Sequence, residues 1–140
     1  MNARNSNRNG ITRQRGFTLM ELIVVMVVLG ILVAIAIPNY SEYIRRGHRT
    51  AAQEYLASLA ARQVQFYLDR RAFTNNVADL NLATPAEVAS RYTFAIVANA
   101  GPPASFTITA SPTGTQTGDR CGDMTIDQTG ARGAAATRCW

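Results

Sequence analysis

The sequence predicts an α+β fold, a long N-terminal α-helix packed on a small antiparallel sheet of three or four strands. Three observations predict it. Every residue from Leu22 to Ile37 is apolar or glycine, the stretch after Pro38 repeats its apolar residues at helical spacing, and the last third carries short segments separated by Gly and Pro. With 140 residues and 15.2 kDa, the chain holds one domain at most beside an anchor or tail.

The formal charge of +5 is localised, and no lysine is present. Arg4, Arg8, Arg13 and Arg15 precede Gly16 without an acidic residue among them. Without that segment ten basic residues face nine acidic ones, so the overall basicity is a poor argument for nucleic acid. One histidine and two cysteines are too few for a Cys/His zinc site. Neither a metal nor a cofactor is therefore expected.

A basic run followed by an apolar one is the layout of an export signal or membrane anchor. Three processing schemes fit it: cleavage after Ala34-Ile35-Ala36, no cleavage, or cleavage at Gly16-Phe17 with the apolar run retained. Phe17 to Ile37 would span about 31 Å as a helix, enough for a bilayer core of about 30 Å. Glu21 is the sharper clue, because a carboxylate in an apolar segment costs about 2–3 kcal/mol on insertion scales. Cleavage after Gly16 would place a new ammonium on Phe17, one helical turn away, to pair with Glu21 in the same or a neighbouring chain. The bland alternative leaves Glu21 tolerated near the headgroups.

Beyond Pro38, Ala52, Tyr55, Leu56, Leu59, Ala60, Val64, Tyr67 and Leu68 form the apolar stripe of one helix face, with Arg62, Gln65 and Asp69 off it. One helix is expected from about Phe17 to Arg70, softened at Pro38 and Gly47. Tyr40, Tyr43, Arg45 and Arg46 suit a bilayer surface. Residues 71–91 read as a loop with a short helix at Thr84-Pro85-Ala86-Glu87, Thr84 being the N-cap. Strands are expected at Tyr92–Val97, Ser105–Ala110 and Met124–Asp127, with a hairpin turn at Gly101-Pro102-Pro103 and a stop at Gln128-Thr129-Gly130.

The stretch Gly16-Phe17-Thr18-Leu19-Met20-Glu21-Leu22-Ile23-Val24-Val25 closely resembles the class III leader site of type IV pilins. The segments Arg49–Gln53 and Gln63–Tyr67, and the ending from Cys121-Gly122-Asp123-Met124 to Cys139-Trp140, resemble a PilE-type minor pilin. The resemblance implies a pilin-like roll. It also implies cleavage of residues 1–16 at Gly16-Phe17 by a prepilin peptidase that N-methylates Phe17, a role for Glu21 in assembly, and a helix bend or melt at Gly30 and Pro38. The parts would be a leader (1–16), a membrane-spanning and assembly helix (17–38), its amphipathic continuation (39–70) and a globular domain (71–140). Were that domain outside the cytoplasmic membrane, Cys121 and Cys139 would pair by default and close a loop over 121–139.

The implied function is that of a structural subunit of a type IV pilus, most like a minor pilin that primes or joins the fibre, with roles in twitching motility and adhesion. Its partners would be the peptidase, other major and minor pilins, an inner-membrane assembly platform and, before assembly, membrane lipid. It would reside in the bacterial inner membrane with a cytoplasmic N-terminus and periplasmic domain, then in the extracellular filament. The alternatives are a pseudopilin of a type II secretion system and an anchored periplasmic binding domain. An enzyme is not expected, since His48 stands alone and no nucleophile–base pair can be built from it. Asp119, Asp123 and Asp127 lack calcium-loop spacing and read as turn residues. Arg45, Arg46, His48 and Arg49 form a cationic cluster that suits DNA phosphate, but lipid phosphate is the simpler partner so near the anchor.

Overall fold

A computed structural model describes residues 16–140, the side chains of Pro38 and Asn39 excepted, so the basic run before Gly16 lies outside the described residues. The elements in order are helix α1 (Leu19–Arg70), a 3-10 turn (Val77–Leu80), helix α2 (Ala86–Ala89), β1 (Tyr92–Asn99), β2 (Ser105–Pro112), a second 3-10 turn (Gly114–Gln116), β3 (Met124–Asp127) and β4 (Arg132–Ala134). The chain divides after Asn39 into two units.

In the first unit, the apolar part of α1 carries no buried residue. It holds the one helical stretch, among the described residues, long and apolar enough to cross a membrane. Its Val and Ile content would suit a strand in water. Hydrocarbon reverses that preference, because a lone segment there must satisfy its backbone internally, which only a helix does.

The second unit is an antiparallel meander in the order β1-β2-β3-β4 with the remainder of α1 packed against it. Phe106, Ile108 and Ala110 of β2 are buried in the alternation the sequence predicts, and so are Met124 and Ile126 of β3. Register places Ile96, Ile108 and Ile126 in one row across three strands, the branched contacts that stabilise a sheet face. Against this face α1 sets Ala52, Tyr55, Leu56 and Leu59, all buried. Tyr55 meets Phe94 edge-on at 4.8 Å, and Phe73 bridges Tyr67 and Phe106 at 4.6 and 4.8 Å.

Two expectations are corrected. Val64 and Leu68 are 46% and 71% exposed, although both belong to the predicted stripe. At 100° per residue they lie about 120° and 160° round the helix from Ala52, whereas Gln63 lies about 20° away. Gln63 is completely buried, and its amide donates to the Thr74 carbonyl at 2.6 Å and accepts from the Thr74 N–H at 3.2 Å. A polar side chain thus occupies the core face because both its ends are satisfied. Second, Thr84 does not cap α2; its hydroxyl lies 2.8 Å from that of Tyr55. Strand β4 makes the sheet four-stranded, within the three or four strands expected, at a position the sequence did not mark. It lacks an apolar alternation and is held by pairing with β3 and by the Trp140 Nε1–H donating to the Gly133 carbonyl at 2.9 Å.

Cys121 and Cys139 are bonded, with Cα atoms 5.7 Å apart and both residues buried. The Gln53 amide of α1 donates to the Cys139 carbonyl, so the loop is tied to the helix as well as to itself. Closing the 18-residue separation is worth about 3 kcal/mol in the chain-entropy view. The paired variant Cys121→Ser/Cys139→Ser should therefore lose about 3 kcal/mol of unfolding free energy, measured by denaturant titration of the detergent-solubilised chain. A loss below 1 kcal/mol would show that the Gln53 and Trp140 contacts hold the loop alone.

Candidate assembly site

The first turn of α1 gathers the residues at which the sequence places processing and assembly. Gly16, Phe17, Thr18 and Glu21 line one open concavity. Thr18 Oγ1 accepts from the Glu21 backbone N–H at 3.2 Å, making Thr18 the N-cap and Glu21 the third helical residue. Thr18 joins this site beyond the residues expected from the sequence. The signal that finds it is the pattern T-x-x-E directly before an apolar run, a capping box. At this position the Glu21 carboxylate also lies near the positive end of the helix dipole, which offsets part of the cost of placing it in an apolar segment. A Cβ on Gly30 would meet nothing in the chain, so no packing within one copy explains that glycine.

The four-residue cationic cluster does not survive as a cluster. Arg46 pairs with Glu42 at 3.2 Å, one turn back on the exposed helix surface, a contact of small energetic value. Arg45 Nη1 donates to the Gly118 carbonyl at 3.2 Å, and any side chain at 118 would crowd that guanidinium. Arg49 is buried, only 6% exposed, and therefore faces neither lipid nor DNA. Its Nε donates to Asp119 Oδ2 at 2.8 Å and its Nη2 to Oδ1, a two-pronged charge-assisted contact.

Asp119 is thereby a buried ion-pair partner rather than a simple turn residue. Its Oδ1 also accepts from the Cys121 N–H at 3.1 Å, and Oδ2 from the Gln116 amide at 3.2 Å. Gln116 Nε2 lies within 3.0 Å of the Tyr92 hydroxyl and 3.1 Å of the Arg45 carbonyl. Burial by itself would raise the Asp119 carboxyl, but the Arg49 hydrogen bonds, followed by the Cys121 N–H, outweigh it and hold the group below its usual range. Burial raises the Tyr92 phenol. Asp127 does mark a turn, its Oδ1 accepting from the Thr129 N–H at 2.8 Å and the Ala131 N–H at 3.0 Å.

A second basic group lies on the disulfide loop. Arg120 and Arg138 each directly precede a bridged cysteine, which keeps their Cα atoms within about 13 Å. Both are exposed, as is Arg132, whose guanidinium stacks over the Trp140 ring at 5.0 Å. None of the three forms an ion pair among the described residues.

Comparison with known proteins adds the following. Residues 38–125 match the family model described as "Type IV minor pilin ComP, DNA uptake sequence receptor", and residues 11–37 match the prokaryotic N-terminal methylation motif. The chain is 35% identical over 89 residues to the type IV major pilin protein PilA of Myxococcus xanthus, covering 64% of this chain and 40% of that one. It is 32% identical over 81 residues to a fimbrial protein of Neisseria meningitidis serogroup B, covering 58% and 48%. It is 29% identical over 127 residues to the fimbrial protein EcpC of Eikenella corrodens, covering 90% and 82%. The chain thus spans less than half the length of the first two relatives and most of the third.

Replacing Arg49 with Met should cost about 3–5 kcal/mol at pH 7, because it leaves the Asp119 carboxylate buried without its counterion. Since the folded state lowers the Asp119 pKa, its contribution is complete above the unfolded value of about 3.9 and is lost as pH falls through the lower folded value. Arg49→Met removes the group that lowers it, so the stability gap between variant and wild type should narrow below about pH 4. Denaturant titrations at pH 7, 5 and 3 measure both effects.

Proposed function

The chain belongs to the type IV pilin family, and from that premise we propose that it is a minor subunit of a type IV pilus that enters the fibre through Phe17–Ile37. One observation carries this reading: an apolar helix with no buried residue, headed by a capped turn that brings Gly16, Phe17 and Glu21 together. A prepilin peptidase would cut at Gly16-Phe17 and methylate the freed amine, which keeps its positive charge. The four arginines before Gly16 favour retention of that end in the cytoplasm. The bonded cysteines favour an oxidising compartment for the second unit.

Assembly then exchanges lipid for neighbouring helices. Lipid tails are as apolar as Leu, so close packing and polar contacts drive the exchange rather than hydrophobicity alone. Glu21 of one copy meeting the Phe17 ammonium of the next would supply such a contact and fix axial register. Gly30 and Pro38 would be the points at which the helix bends or melts within the fibre. Priming, twitching and adhesion follow from its presence in that fibre, in contact with the assembly platform and other pilins.

A second reading concerns DNA. The family model that covers residues 38–125 is described as a DNA uptake sequence receptor, and Arg120, Arg132 and Arg138 are exposed cations with no ion pair among the described residues, Arg132 lying over the Trp140 ring. Arg45, Arg46, His48 and Arg49 are poorer candidates, since Arg49 is buried and Arg46 is paired.

Two outcomes are expected. Glu21→Ala should be cleaved and inserted normally yet be several-fold depleted from sheared fibres, as read by immunoblot; wild-type incorporation would overturn the register role. Arg120→Gln/Arg132→Gln/Arg138→Gln should weaken duplex binding in fluorescence anisotropy and lower the salt slope by up to about 3. An unchanged slope would remove the DNA reading and leave the fibre reading intact.

A further inference from the structure

In the second unit a cavity of about 250 Å³ is lined by Tyr40, Ile44, Arg45, His48, Arg91 and Thr115, and no carboxylate lines it. Both arginines are held by neutral acceptors. Arg45 donates to the Gly118 carbonyl at 3.2 Å, and Arg91 Nη1 donates to Thr115 Oγ1 at 2.8 Å. Neither is in an ion pair among the described residues, so each is oriented while keeping its full charge and several free N–H donors. Gln116 lines the same cavity, and its Oε1 is the one buried side-chain polar atom without a hydrogen-bond partner among the described residues. A ligand suited to this set carries an anionic oxygen group for the two guanidiniums.

We propose that this cavity binds the phosphodiester head group of an anionic glycerophospholipid, holding the unassembled subunit's globular unit at the bilayer surface. Lipid is favoured over nucleic acid by position and by shape. Arg45 follows the last residue of the apolar run by only eight positions in sequence, so the chain itself keeps it near the headgroups while that run spans the bilayer. Tyr40, 66% exposed, and Ile44 give the rim the amphipathic character of a membrane interface. A concave site for one phosphate also differs from the series of cations that tracks a duplex backbone, and Arg120, Arg132 and Arg138 lie outside it. A glycerophospholipid head group brings the single anionic phosphodiester that the two guanidiniums call for. The proposal rests on the membrane-anchored precursor of the preceding subsection. Its consequence is a second, polar hold on the membrane that a subunit must release to enter a fibre.

The test uses the full chain in neutral detergent, following the ring protons of His48, the sole histidine, by NMR. Dihexanoyl phosphatidylglycerol, added below its micellar concentration, should give a saturable shift. Arg45→Gln and Arg91→Gln should each weaken it about tenfold, whereas the triple disulfide-loop variant should leave it unchanged. Inorganic phosphate and glycerol 3-phosphate should bind at least tenfold more weakly. Circular dichroism confirms that each variant is folded, and should one fail, the other decides. The proposal is overturned by an absent or non-saturable shift, by undiminished binding in the folded variants, or by equal affinity for inorganic phosphate, which would make this a free-anion site. Displacement of the lipid by stoichiometric duplex DNA would overturn it in favour of nucleic acid. Cleavage at Gly16 and entry into sheared fibres are scored on the same variants, so failure here leaves the pilus reading standing on its own results.

Discussion

The guanidinium of Arg49 meeting the carboxylate of Asp119 is the contact on which the second unit turns. It joins the helix to the segment just before the first cysteine across 70 residues of sequence. Burying both charges is costly, and the arrangement is stable only because every nearby group serves it. The Cys121 N–H and Gln116 amide fill the remaining carboxylate positions, and Tyr92 at the start of β1 closes the group. One ion pair therefore fixes the helix, the first strand and the entry to the disulfide loop together. Such a network also specifies geometry, since shifting α1 by one residue would carry Arg49 out of reach and leave two charges unpaired in the interior.

The two units answer opposite demands with the same element. Within the first, the apolar stretch of α1 has none of its described residues buried and is apolar around its circumference. Within the second, α1 buries one face against a four-stranded meander and leaves the other exposed. Thr18 and Glu21 start the helix, and the polar face that begins near Tyr40 bounds the region in which hydrocarbon is tolerated.

Much of this was legible in the residues. The alternation of Phe106, Ile108 and Ala110 gave β2 its buried face, and the spacing of Ala52, Tyr55, Leu56 and Leu59 gave α1 its own. What escaped was polar. Arg49 lies in phase with Ala52, Leu56 and Leu59, so a core arginine demanding a partner was visible in principle, but its partner 70 residues on was not. Gln63 was hidden for the same reason, because what it holds is the Thr74 backbone, which carries no sequence signal. The position of the fourth strand carried no signal, because Arg132-Gly133-Ala134 has no intrinsic strand preference and takes its conformation from its neighbours. At the first turn of α1 the sequence singled out Gly16, Phe17 and Glu21, which line one concavity, but not the cap at Thr18.

The wide sequence spacing of the closing contacts has a kinetic consequence. Gln53 waits for Cys139, 86 residues later, and Arg49 for Asp119. A nascent chain therefore emerges with its helix early and its sheet late. Leu56 and Leu59 remain uncovered throughout that interval, because loop closure over such distances must precede any gain from the contacts it permits. The molecule is accordingly most vulnerable to aggregation and proteolysis after the helix has formed and before the last strand arrives. A chaperone that shields the amphipathic face during that interval would act where the folding order leaves the chain undefended.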